Sequence, residues 1–82
     1  MSTELKENLR RIVADVSEVD VIPDDTDFRE LGIDSMMGIE IVAEIERTYK
    51  ISVPESELKN MTSLTRVYEL VQTNLAASTA AS

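Results

Sequence analysis

Apolar side chains return at intervals of three and four along most of this chain and nowhere alternate convincingly, so the buried surfaces it can build are helical stripes. Leu5, Leu9, Ile12, Val13 and Val16 make the first stripe. With Thr3 available as N-cap, and Glu4 and Glu7 complementing the positive end of the helix, the spacing predicts a helix from about Glu4 to Val16. A second helix is expected to begin at Ser35, capped by Asp34, and to reach about Tyr49. At about 100° per residue, Gly38, Ile39, Ile41, Val42, Ile45 and Tyr49 fall on one broad inward side. Met36, Glu40, Ala43 and Arg47 fall opposite, flanked by Met37 and Glu44.

Pro54 suits the first turn of a short third helix ending near Asn60, with Ser52 and Glu55 at capping-box spacing and Leu58 and Met61 turned inward. Thr62 or Ser63 then caps a fourth helix carrying Leu64, Val67, Tyr68, Val71 and Leu75. Between the first two helices, Pro23, the cluster Asp24-Asp25-Thr26-Asp27 and Gly32 break the period. Val19, Val21, Ile22, Phe28, Leu31 and Ile33 stay apolar, which describes a long loop pinned onto a core, with a short helical turn expected near Phe28 to Leu31. Stripes of this kind can be buried together only as a small all-α four-helix bundle, three helices longer and one short.

At 82 residues the chain makes one domain, expected to span 1–75. The Ala- and Ser-rich segment 76–82 lacks bulky side chains to offset its ordering entropy and is expected to form a flexible tail. Sixteen acidic residues against eight basic ones leave a formal net charge of -8, which repels a nucleic-acid backbone or an anionic membrane and suits basic protein partners. No stretch is apolar enough to span a bilayer or to act as a secretory signal, so a cytoplasmic protein is expected. The chain has neither His nor Cys, which removes the commonest general base and any thiolate of its own.

Ser35 is the candidate site, standing where the acidic loop gives way to the second helix. A hydrolase nucleophile is a poor reading, since Ser35 has no His to activate it and no Gly-x-Ser-x-Gly elbow around it. Nor does the acidic cluster read as a calcium loop: counted from Asp24, the sixth and twelfth positions hold Arg29 and Ser35 where Gly and Glu are needed. It is expected to be a solvated turn, and no metal is expected. Gly38, on the inward side, leaves room either for close helix packing or for a bound chain, and packing is the expectation. Met36 and Met37 either close the core edge or, as read here, belong with Glu40, Ala43, Glu44 and Arg47 to a docking face beside Ser35.

The stretch Leu31-Gly32-Ile33-Asp34-Ser35-Met36 resembles the attachment motif of acyl carrier proteins, in which Leu-Gly-x-Asp-Ser-Leu opens the second helix. Chain length, acidity, the Pro23 to Asp27 segment and the Ile51-Ser52-Val53-Pro54 connector extend that resemblance over roughly residues 4–75. It implies a non-catalytic, monomeric carrier whose Ser35 receives phosphopantetheine from coenzyme A through a phosphopantetheinyl transferase, with Asp34 as the acidic member of the motif. The arm would hold acyl groups as thioesters and offer them to acyl-transferring and chain-elongating enzymes of fatty-acid or polyketide type, bearing basic docking patches. Met36 replaces the usual Leu, and Met37 and Gly38 stand where fatty-acid carriers commonly have polar or acidic residues, which points to softer, less charge-driven docking. Glu40 and Glu46 match acidic positions of the second helix, whereas Arg47 departs from them. A D-alanyl carrier, a peptidyl or aryl carrier, and an unmodified acidic helical adaptor remain the alternatives.

Overall fold

The first apolar stripe folds as helix α1, Ser2–Ser17, in a computed structural model that describes the backbone of residues 2–81 and the side chains of residues 4–75. Leu9 and Val13, one turn apart, are fully buried, with Leu5, Ile12 and Val16 packed at the margin. The helix backbone begins at Ser2, so Thr3 falls within its first turn, and the expected Thr3 cap lies outside the described side chains. At the other end the buried Ser17 hydroxyl donates to the Val13 carbonyl at 2.6 Å and accepts the Val19 N–H at 3.3 Å. Glu18 then turns the chain with a left-handed φ of 61°.

The long loop is pinned as expected by Ile22, Phe28 and Ile33, all buried, and is shortened by a 3₁₀ turn over Phe28–Leu31. Val21 departs from expectation, being 71% exposed. The acidic cluster stays accessible to solvent, with Asp25 exposed and Asp24 half-exposed, and also ties the loop to two helices. Lys6 and Arg10 of α1 donate to the Asp24 carboxylate at 3.0 and 2.5 Å, and Arg10 also donates to the Ile22 carbonyl. From the opposite side, the Thr65 N–H donates to the Asp24 carbonyl and the Thr65 hydroxyl to the Asp25 carboxylate, both at 3.0 Å. The hydrogen bonds from Arg10, and next those from Lys6, hold the Asp24 carboxyl below the usual carboxylate range. The Lys6 ammonium also lies 5.7 Å from the centre of the Tyr68 ring, within cation–π reach.

Helix α2, Ser35–Tyr49, buries Ile41, Val42 and Ile45 and ends at Lys50 in the left-handed region. Glu46 is not a free surface acid: its carboxylate accepts the Val53 N–H at 2.7 Å and so holds the connector that follows. Helix α3 is a single turn, Glu55–Leu58, shorter than expected. Pro54 precedes it and no side chain caps it, so the Ser52–Glu55 capping box does not form. Helix α4 spans Leu64–Ala81, and of the two candidate caps it is Ser63 whose hydroxyl oxygen accepts the Arg66 N–H, at 3.4 Å. Leu64, Val67 and Val71 are fully buried on it.

Helix α1 packs against both α2 and α4, while α3 rests on α2. The result is the expected all-α bundle of three longer helices and one short one, with no strand among the described residues. No helix among those residues is long and apolar enough to cross a membrane.

Candidate functional site at the start of the second helix

Ser35 is placed by a relay of local bonds beginning in the loop. The Asp27 carboxylate accepts the Arg29 N–H at 2.8 Å and caps the 3₁₀ turn, and the Phe28 N–H donates to the Thr62 carbonyl at 2.8 Å, fixing the turn to the segment before α4. Gly32, at a φ of 82° that L side chains rarely adopt, lets the chain double back. Its N–H donates to the Arg29 carbonyl at 3.1 Å, and the Ile33 N–H to the Phe28 carbonyl at 2.9 Å. Ile33 is then driven into the core, which leaves Asp34 and Ser35 at the surface.

Asp34 has the extended backbone of an N-cap residue, with its Oδ1 accepting the Met37 N–H and its carbonyl accepting the Gly38 N–H, both at 2.9 Å. Ser35 is therefore the first residue of a 15-residue helix and is exposed. An anionic group on its hydroxyl would lie at the positive end of the helix dipole, where added negative charge is tolerated. The chain has no His to activate that hydroxyl.

Beside Ser35 opens a cleft of about 490 Å³ between α2, α3 and the 3₁₀ turn, with Phe28, Ile33, Val42, Leu58, Met61 and Val67 among its apolar walls. Gly38 lines it, and no atom lies within 4 Å of where a Cβ would stand, so the expected close helix packing at Gly38 is not made. Ile39, expected to face the core, also lines the cleft and is 58% exposed. A phosphodiester on Ser35 fits an exposed hydroxyl with this much open space next to it.

Of the expected docking residues, Met36 is 73% exposed, and Glu40, Ala43 and Arg47 are exposed on the same side of α2. The Arg47 guanidinium lies 2.5 Å from the Glu44 carboxylate and holds that carboxyl below its usual range, so Glu44 is committed to a neighbour on its own helix. Met37 is half-buried and packs against the core, contrary to its expected place on the surface. Ile39 joins Met36 in its stead, a residue the helical projection assigned inward although it stands three positions after Met36. Among the described residues, no group of three or more His, Cys, Asp or Glu could hold a metal ion.

The family model described as the phosphopantetheine attachment site matches residues 7–72. The chain is 45% identical over 73 residues to polyketide-8 synthase acyl carrier protein 2 of Streptomyces avermitilis, covering 85% of this chain and 84% of that protein. It is 38% identical over 65 residues to 3-methylorcinaldehyde synthase of Sarocladium schorii, covering 77% of this chain and 2% of that much longer protein. In three dimensions it is similar to an acyl carrier protein of Thermotoga maritima, with a TM-score of 0.77 at 22% identity, covering 90% of this chain and 93% of that one. The family match, the similarity to a carrier of nearly the same length and the shared helical fold agree, and the chain belongs to the phosphopantetheine-attachment family as a non-catalytic acyl carrier.

Proposed function

We propose that Ser35 Oγ is the atom that receives phosphopantetheine, transferred from coenzyme A by a phosphopantetheinyl transferase. The observation that carries this reading is the exposed Ser35 hydroxyl on the first residue of α2, behind the Asp34 cap and on the rim of the cleft. When attached, the arm supplies the thiol this chain lacks and holds acyl cargo as a thioester at high effective concentration for successive enzymes. Asp34 keeps the attachment point at a formed helix end, and Ile33 and Gly32 keep it at the surface.

The cargo is of polyketide type, a reading supported by the similarity to a polyketide-8 synthase carrier. Partners dock over Met36, Ile39, Glu40 and Ala43, where an apolar strip borders acidic groups, and Arg47 with its bound Glu44 limits the charge available to a basic partner. The carrier acts as a cytoplasmic monomer, with residues 1–75 forming the working domain.

The test is intact-protein mass spectrometry before and after incubation with coenzyme A and a broad-specificity phosphopantetheinyl transferase, followed by fragmentation to locate the adduct. One phosphopantetheine on Ser35 is expected, and Ser35→Ala should take up none while keeping its helical circular dichroism. An adduct that persists in Ser35→Ala overturns the assignment. No adduct on the folded wild type, with a transferase proven active on another carrier, favours an unmodified adaptor.

A further inference from the structure

The cleft beside Ser35 carries two cationic side chains against three carboxylates. Arg29 and Lys59, two of only eight cationic residues, both line it. Arg29 comes from the 3₁₀ turn and Lys59 from the end of α3, so two separate elements converge on one cavity. Three other cations are held by short contacts, Lys6 and Arg10 by Asp24 at 3.0 and 2.5 Å and Arg47 by Glu44 at 2.5 Å.

The two cleft cations are held more loosely, Arg29 by one longer ion pair and Lys59 by none among the described residues. Arg29 has a side chain 87% exposed, and its one carboxylate neighbour, Asp27, is 3.6 Å away, beyond hydrogen-bond distance. The Lys59 ammonium has no hydrogen bond or ion pair among the described residues. The acidic groups that share the cleft are Asp27, Asp34 and Glu55. Two of them are engaged with backbone, Asp27 Oδ1 with the Arg29 N–H and Asp34 Oδ1 with the Met37 N–H. Neither can turn fully toward the cations without giving up a cap.

We infer that Arg29 and Lys59 form an anion subsite that takes the phosphodiester of the arm, orienting it along the cleft on the α3 side of Ser35. The inference rests on the assignment of Ser35 as the attachment residue. A group bonded to Ser35 cannot leave the cleft mouth, so its phosphate meets these side chains at a high effective concentration. The planar guanidinium suits bidentate contact with phosphate oxygens, and the Lys59 ammonium contributes a movable point charge. The lining is net negative before modification, two cations against three carboxylates, and Arg29 and Lys59 are its two side chains able to meet the negative charge the arm adds.

The test compares thermal unfolding of unmodified and fully modified protein, with modification on Ser35 confirmed by mass, for wild type, R29Q/K59Q and a control R11Q/R66Q. The control removes the same charge from positions outside the cleft. In R29Q/K59Q the modified-minus-unmodified difference in Tm should lie about 2–6 °C below that of wild type at low ionic strength, and the gap should shrink in 0.5 M salt. The control should keep the wild-type difference. Complete modification of Ser35 with the same difference in all three proteins overturns the subsite and leaves the attachment assignment standing. An adduct that fails to form on wild-type Ser35, or that lies elsewhere, overturns both.

Discussion

Gly32 and Gly38 are the only glycines in the chain, and replacing each by Ala should move stability in opposite directions. A Cβ added at either position meets no atom within 4 Å, so steric overlap decides neither outcome. What differs is the backbone. Gly38 is helical, in the first turns of α2, and Gly38→Ala should gain about 0.5–1 kcal/mol from helix propensity and a less flexible unfolded chain. Gly32 sits at a φ of 82°, where an L side chain crowds its own backbone, and Gly32→Ala should cost roughly 1–2 kcal/mol. With an unfolding entropy of about 2.1 cal/mol/K per residue, 1 kcal/mol corresponds to about 6 °C in a chain of 82 residues. Thermal unfolding of the unmodified protein, followed by far-ultraviolet circular dichroism, should therefore raise Tm by about 3–6 °C for Gly38→Ala and lower it by about 6–12 °C for Gly32→Ala. An unchanged or lower Tm for Gly38→Ala would mean that a neighbouring helix does press on Gly38, as its place on the inward side of the stripe suggested. A neutral Gly32→Ala would remove the left-handed turn from the account of how Ser35 reaches the surface.

Asp34→Ala should lose the 2.9 Å cap to the Met37 N–H and about 1 kcal/mol of stability, whereas Asp34→Asn, which keeps an acceptor, should lose only a few tenths; equal losses in a urea titration would assign the effect to charge rather than to the bond. Asp24 should stabilise the fold through its depressed carboxyl pKa: that contribution is complete above the unfolded value of about 3.9 and is lost as pH falls through the lower folded value. Asp24→Asn should therefore have a lower Tm at pH 7, with the gap to wild type closing below about pH 4, and a gap that stays constant on acidification would refute the Arg10 and Lys6 pairing. Ile45→Ala, at a fully buried position, should cost about 2–5 kcal/mol of a total of roughly 4–12, read from the urea midpoint; a loss below about 1 kcal/mol would take Ile45 out of the core.

Much of the architecture was legible because its signals are local. The stripes Leu5-Leu9-Ile12-Val13-Val16 and Leu64-Val67-Tyr68-Val71-Leu75 became α1 and α4, and Asp34 before Ser35 marked the α2 start to the residue. The short turn at Phe28–Leu31 could also be expected, since apolar residues flanked by Asp27 and Gly32 have few other ways to reach a core. Other boundaries were not legible. Helix α1 and helix α2 end at Glu18 and Lys50 in left-handed conformations without the glycine that usually announces such an end. The Ser52–Glu55 spacing matched a capping box that does not form, because the connector is held from α2 by Glu46 instead.

At the site, the sequence alone determined the acidic, thiol-free and histidine-free chemistry, the all-α class and the position of Ser35 at a helix start. These depend on composition and on periods of a few residues. Only the tertiary structure decided that Met37 turns inward while Ile39 lines the cleft, that Gly38 opens onto space, that Asp24 is clasped by Lys6 and Arg10, and that Arg29 and Lys59 line the same cleft. Each of these depends on how far a neighbouring element reaches: α3 is one turn long and rests only along part of α2, so the edge of the α2 stripe is left uncovered, and no pattern along the chain encodes where that cover stops.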